Sequence, residues 1–269
     1  MHFIKSHGLG NDYLVLTSGD ALDAEQVRKL CDRHTGIGSD GVLEPRDSQV
    51  ADFGLRIWNP DGSEAEKSGN GLRIFAKWIR DHRGAPDAFS VEVPAGVVQC
   101  QVGELDVTVE MGAASFVPSS IPATCELKQT PVKLGEHTLL LNAVGMGNPH
   151  CVVFVDTDPD GFPWREWGEK LENSPFFPNR TNVQIVHVVH SGLIDARVWE
   201  RGAGETMASG SSACAIVAVA YALGRCDAEV RVEMPGGALS VRVNPGFEMV
   251  LEGPVQEVAS IQIATGFLA

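Results

Sequence analysis

The chain has 269 residues, a formal net charge of −14 from 21 Lys+Arg against 35 Asp+Glu, and 43% hydrophobic residues. That balance supports a globular protein with a sizeable core and excludes a disordered or fibrous one. The acidic surplus argues against nucleic-acid and anionic-membrane partners, which are held by clustered Lys and Arg.

The longest apolar run, 213–223, falls short of the roughly 20 residues of a spanning helix, and MHFIKSHGLG has no secretory layout. Six cysteines (31, 100, 125, 151, 214, 226) form no CxxC pair and read as reduced thiols of a cytoplasmic protein. There is no HExxH, and His187 and His190 alternate in VQIVHVVH as strand residues on opposite faces, so no metal site is expected.

In chain order, HFIKSHGLGNDYLVLTS predicts two short strands around a glycine turn. Helix spacing of Val27, Leu30 and Cys31 predicts a helix over 24–32 with Asp23 as N-cap. A strand follows over 53–58, then a loop DGSEAEKSGNG, then a helix over 72–80 with Leu72, Phe75, Ala76 and Ile79 on one face. Strands are expected over 89–93, 97–102 and 107–111. The segment 213–223 is apolar on nearly all sides and predicts a buried helix.

The chain also repeats itself. RIWNPDGSEAEKSGNG from Arg56 matches RVWERGAGETMASGSS from Arg197 at an offset of 141, pairing Trp58 with Trp199, Asn59 with Glu200, Ser68 with Ser209 and Gly69 with Gly210. SVEVPAGVVQ and RVEMPGGALS keep that register, and GLGND matches GMGNPH at an offset of 137, pairing Asn11 with Asn148. The expected architecture is therefore α+β: two pseudo-symmetric domains, each a curled, mostly antiparallel sheet around a central helix. The domains would be 1–113, with 260–269 returning to it, and 114–259, divided near the Pro-rich stretch GAASFVPSSIPAT.

Each copy ends a loop with Ser-Gly and enters an apolar helix, at Ser68-Gly69-Asn70-Gly71 and Ser209-Gly210-Ser211-Ser212. A glycine lets the backbone approach a ligand, and a helix start offers unpaired N–H groups and partial positive charge, a ready site for a carboxylate. Two such turns facing one carboxylate would stabilise the charge that develops when the adjacent Cα–H is removed. Ser68 and Ser209, one on each face of that carbon, would then serve a cofactor-free 1,1-proton transfer on an amino acid.

HGLGNDYLVL, RHTGIGSDGV, NPDGSEAEKSGNGLR, GMGNPHCVVFV, RTNVQIV, VWERGAGETMASGSSACA and MPGGAL resemble, in order, the motifs of diaminopimelate epimerases. The resemblance implies paired α+β domains with the site between them, a homodimer, no cofactor, and a place in lysine and peptidoglycan precursor supply. By motif match it implies that Asn11, Asn59, Asn148, Asn182 and Arg201 bind the distal amino-acid end of the substrate. Gly69, Asn70, Gly210 and Ser211 would supply carboxylate-binding amides, and His150 and Glu200 would tune the acid–base pair.

Taken singly, the asparagines also fit turns, His150 fits a buried histidine, and Arg201 fits a surface ion pair. The family pattern has cysteine where this chain has Ser68 and Ser209, cysteine in place of Ile74 and glycine in place of Ser212. A hydroxyl is a far weaker base than a thiol near neutral pH. Three readings follow: an epimerase with both cysteines replaced, a subgroup with its own serine pair acting on this or another amino acid, or a non-catalytic amino-acid binder. Cys214, about 140° around its helix from Ser209, reads as core rather than as a substitute base.

Overall fold

Runs of alternating apolar residues separated by glycine turns fold here into strands that wrap single helices. The computed structural model describes residues 1–268 and divides into two units, 1–109 with 253–268, and 110–252. The expected boundaries after 113 and 259 therefore move to 109 and 252. Ala114 N–H already bonds Phe247 O at 2.9 Å and Ser115 exchanges backbone bonds with Gly145, so the Pro-rich stretch belongs to the second unit. The C-terminal return begins earlier because a whole strand takes part in it.

In the first unit β1 (His2–Gly8) and β2 (Asn11–Ser18) form a hairpin around Leu9 and Gly10. Both turn residues have positive φ, 56° and 90°, as a two-residue hairpin turn requires, and Leu9 bears the steric cost. Helix α1 (Ala24–Cys31) starts at Asp23, whose carboxylate accepts from Gln26 N–H while Gln26 Oε1 accepts from Asp23 N–H, a reciprocal cap. Then come β3 (Val42–Arg46), β4 (Phe53–Trp58), β5 (Glu64–Ala65), α2 (Gly69–Arg83), β6 (Ala88–Val93), β7 (Gly96–Val102) and β8 (Asp106–Ala113). The last strand of the chain, β18 (Gln256–Gln262), pairs along β1. The ladder runs β18–β1–β2–β3–β4–β6–β7–β8; β5 folds back on β4, and the steps β2–β3 and β4–β6 are parallel.

The second unit repeats the plan with β9 (Thr130–Leu134), β10 (His137–Gly145), β11 (Pro149–Val155), α3 (Trp164–Glu172), β12 (Asn182–His190) and β13 (Leu193–Glu200). It continues with β14 (Gly204–Thr206), α4 (Gly210–Ala222), β15 (Glu229–Met234), β16 (Gly237–Asn244) and β17 (Glu248–Pro254). Its parallel steps, β11–β12 and β13–β15, fall at the equivalent places. Here β9 precedes β10 and pairs with it, filling the place that β18 fills beside β1. One copy thus receives its edge strand from the chain end and the other from its own start, which explains the C-terminal return.

Strand alternation gives each sheet two covered faces. Phe3, Leu14 and Val42 pack with Val27 and Leu30 of α1, whereas Leu43 faces α2, where a Cβ on Gly71 would come within 3.1 Å of its side chain. In the second unit Val183 and Ile185 pack with Trp164, Trp167 and Leu171 of α3. Helix α4 packs on β10, β11, β12, β15 and β16, with Ala213 through Ala220 all buried.

Both central helices begin three residues before the expected starts at 72 and 213, at Gly69 and Gly210. Glycine and asparagine carry poor helix propensity, yet Gly69, Asn70 and Gly71 form the first turn of α2, where Ser68 caps the Gly71 N–H. The loop 61–71 is correspondingly shorter and contains β5.

Candidate active site

The two helix entrances match in the backbone conformation of their capping serines. Ser68 has φ −139° and ψ 119°, and Ser209 has φ −141° and ψ 123°, both extended as N-caps require. Their side chains differ. Ser68 Oγ accepts from Gly71 N–H at 3.0 Å and lies 3.1 Å from the Tyr13 phenol oxygen. Ser209, 4% exposed, makes no cap bond.

Around the first entrance a chain of side chains fixes Asn70 and Asn11. Arg73 Nη2 donates to Asn70 Oδ1 (2.8 Å), Asn70 Nδ2 to Asn11 Oδ1 (2.9 Å), and Asn11 Nδ2 to Asp40 Oδ2 (2.8 Å). Arg33 closes it from outside, donating to both Asp40 and Asp12. Burial alone would raise the Asp12 carboxyl, but hydrogen bonds and charge from Arg33 and Lys5 hold it below its ordinary value. Asn59 stands apart from this chain: its Nδ2 donates to Ser63 Oγ at 3.0 Å and its backbone N–H to Ser63 O at 2.8 Å, closing the turn after β4.

The second entrance carries a different network. Asn148 Oδ1 can only accept, so His150 Nε2–H donates to it at 2.8 Å; Gln184 Nε2 donates both to His150 Nδ1 (3.0 Å) and to Ser212 Oγ (3.0 Å). His150 is fully buried, and burial, then the positive charge of Arg201, pushes its pKa down to about 3. It is a neutral imidazole with both nitrogens engaged, which suits holding Asn148 and Gln184 rather than carrying a proton. Asn182 Nδ2 donates to Pro149 O (2.9 Å) and its Oδ1 accepts from Arg201 N–H (2.9 Å), tying β11 to the loop after β13. The Arg201 guanidinium is exposed, with a long 3.4 Å bond to Asn179 O. Glu200 Oε2 accepts from Thr206 Oγ1 at 3.1 Å. Gly210 and Ser211 form the first turn of α4, where their N–H groups lack intrahelical acceptors.

Each unit therefore gathers its own expected residues: Asn11, Asn70 and Ser68 in one, Asn148, His150 and Asn182 in the other, with Asn59 and the Arg201 side chain outside those networks. Sequence reading missed Tyr13, Asp40, Arg73, Gln184 and Glu172. Gln184 and Arg73 left a trace, as lone polar residues inside apolar runs. Glu172 left none, yet its buried carboxylate pairs with Arg180, accepts from Trp199 Nε1 (2.8 Å) and Gly202 N–H (2.7 Å), and so positions the loop carrying Arg201. Cys214 is buried as expected. A cavity of about 350 Å3 in the second unit, lined by Phe154, Val155, Asp156, His187, Val188 and Arg225, contains none of the expected residues. Among the described residues no cluster of three or more His, Cys, Asp or Glu could hold a metal, and no helix is long and apolar enough to cross a membrane.

Comparison with known proteins places this geometry. Residues 3–117 and 142–258 match the family model described as diaminopimelate epimerase. Diaminopimelate epimerase 2 of Nostoc sp. is 43% identical, covering 100% of this chain and 98% of that protein. Diaminopimelate epimerase of Pseudomonas savastanoi pv. phaseolicola is 39% identical, covering 98% and 99%. Among solved structures, a probable proline racemase from Agrobacterium radiobacter shares the fold with a TM-score of 0.73 at 14% identity, covering 98% of this chain and 93% of that one. The family-model match across both units and relatives of this identity over the full length identify the chain as a member of the diaminopimelate epimerase family, a family of amino-acid isomerases.

Proposed function

We propose that the protein inverts the configuration at the Cα of a diaminopimelate-type amino acid by proton transfer on two faces, without a cofactor. One observation carries the reading: Ser68 and Ser209 stand at the same backbone geometry, 141 residues apart, at the entrances of the two central helices. In this reading the first-turn amides of Gly69, Asn70, Gly210 and Ser211 hold the substrate carboxylate. Their N–H groups and the helix dipoles stabilise the carbanion formed when one serine oxygen takes the Cα proton. The other serine returns a proton to the opposite face. Asn11, Asn59, Asn148, Asn182 and Arg201 hold the distal amino-acid end. His150 orients Asn148, and Glu200, which accepts from Thr206, serves as a tuning carboxylate. A hydroxyl is a weak base, so the uncatalysed barrier is lowered less than a thiol would lower it, and turnover is slow.

The test is exchange of the Cα proton of LL- and meso-diaminopimelate with solvent deuterium, followed by mass spectrometry. Slow exchange is expected from the protein as it stands, rising by orders of magnitude in the Ser68→Cys/Ser209→Cys variant. A second reading, an amino-acid binder without turnover, draws on one observation: the Ser68 oxygen is already engaged by Gly71 and Tyr13. It predicts calorimetric 1:1 binding with no exchange in either protein. A cytoplasmic homodimer completes the proposal: among the described residues the six cysteines form no disulfide, which supports a reducing compartment, and sedimentation should give twice the chain mass.

A further inference from the structure

We propose that Tyr13 is a positioning residue for the Ser68 half of the reaction, its phenol relaying the proton that Ser68 Oγ exchanges with the substrate Cα. The inference rests on the epimerase reading and deepens it by supplying what a bare serine lacks. Tyr13 sits on β2, 7% exposed, with its oxygen 3.1 Å from Ser68 Oγ. Gly71 N–H occupies one lone pair of that oxygen. When Tyr13 O–H donates to the second, the serine's own proton is left to point away from both, toward the mouth of the helix.

The steps balance in both directions. To deliver a proton, Ser68 O–H protonates the carbanion while Tyr13 O–H passes its proton to Ser68 Oγ, leaving a phenolate. To remove one, the phenolate takes the hydroxyl proton of Ser68 as Ser68 Oγ takes the Cα proton. The charge thus rests on a phenol, ordinarily titrating near 10, instead of an alkoxide, whose parent hydroxyl titrates far higher.

The duplication shows that the second unit lacks this arrangement. At the 137-residue offset that pairs Asn11 with Asn148, Tyr13 corresponds to His150. Both His150 nitrogens are engaged, by Asn148 and Gln184, and the network ends on Ser212 rather than on Ser209. A relay oxygen reaching the capping serine is a feature of the first entrance.

Tyr13→Phe keeps the ring and deletes the oxygen, so folding should survive, checked by circular dichroism and thermal melting. The exchange assay on diaminopimelate should then show kcat reduced about 100-fold with KM changed little, within the usual span for proton-transfer groups. In the Ser68→Cys/Ser209→Cys background, where a thiolate needs no relay, the same substitution should cost at least tenfold less. Equal losses in both backgrounds, or no loss in either, would overturn the relay by making Tyr13 merely structural or idle. Exchange by the cysteine pair but none by the serine protein would also overturn it, while leaving the epimerase reading intact. No exchange by any variant would remove the epimerase reading itself, and the relay with it.

Discussion

The two units share a backbone and part company in the side chains around it. At the same 141-residue offset, Leu43 lies against Gly71 in the first unit, and Gln184 donates to Ser212 in the second. An apolar contact in one copy is a buried polar network in the other. The tryptophans show the same divergence: Trp58 Nε1 donates to Glu44 on β3 at 2.9 Å, and Trp199 Nε1 to Glu172 on α3. The indole of each copy needs a buried acceptor, and each copy found one on a different element. What the duplication conserved is the helix entrance, with φ and ψ of the two capping serines matching within a few degrees.

The largest effect expected from this contrast lies in the helices. Ile216 in α4 is fully buried in a helix without a polar face, so Ile216→Ala should cost about 2–5 kcal/mol, measured by urea unfolding. Lys77 on the amphipathic α2 is half-buried, donates to Glu104 O at 3.1 Å and pairs with Asp81 at 3.4 Å, all near the surface, so Lys77→Ala should stay within about 1 kcal/mol. Next comes the polar network. Gln184→Leu strands His150 Nδ1 and Ser212 Oγ in the interior, at about 1–3 kcal/mol for each. Adding Ser212→Gly, which copies the first unit's Leu–Gly pairing, should recover part of that loss. Strict additivity of the two changes would show that Gln184 and Ser212 do not interact.

That network also marks where sequence reading stops. Strands 53–58 and 89–93, the Asp23 cap and both central helices were legible because apolar spacing and capping chemistry are local. The repeat register placed Ser68 and Ser209 on equivalent helix starts, and the structure bears this out to within a few degrees. Strands β3, β5, β9 and β14 and helix α3 were not legible. The strand β5 is two residues long and exists only by pairing with β4. In α3, Gly168 sits mid-helix because a Cβ there would come within 2.7 Å of Trp199, a contact between distant segments. The site's supporting residues share that origin: Asp40 reaches Asp12 across 28 residues of chain, Gln184 reaches His150 across 34 and Glu172 reaches Gly202 across 30, so no local pattern announces those contacts. His150 was legible as a candidate, but its neutral state follows from burial, which spacing does not show.

A smaller effect separates the units by pH. His150 ordinarily would titrate at 6.5 and is held at about 3 in the fold. Between those values the unfolded chain binds a proton that the folded chain refuses, so stability falls as pH drops below about 6.5, by at most about 1.4 kcal/mol per pH unit. Asp12 in the first unit is depressed below 3.8, so its contribution is present above that value and is lost only as pH falls beneath it. From pH 6.5 to 4, hydrogen exchange should therefore accelerate in β11 and β12 before it does in β1 and β2, and His150→Gln should flatten the difference.

The smallest effect tests the entrances themselves. Ser68 Oγ takes up the Gly71 amide, one of the donors a helix start leaves without a partner, whereas Ser209 Oγ takes up none. Ser68→Ala should then cost about 1 kcal/mol and speed exchange of the Gly71 amide several-fold, while Ser209→Ala should leave stability within about 0.5 kcal/mol. Equal costs at the two positions would mean that Ser209 turns inward to cap α4 in solution. Its oxygen would then be as engaged as that of Ser68, and the asymmetry on which a one-sided tyrosine relay depends would be lost.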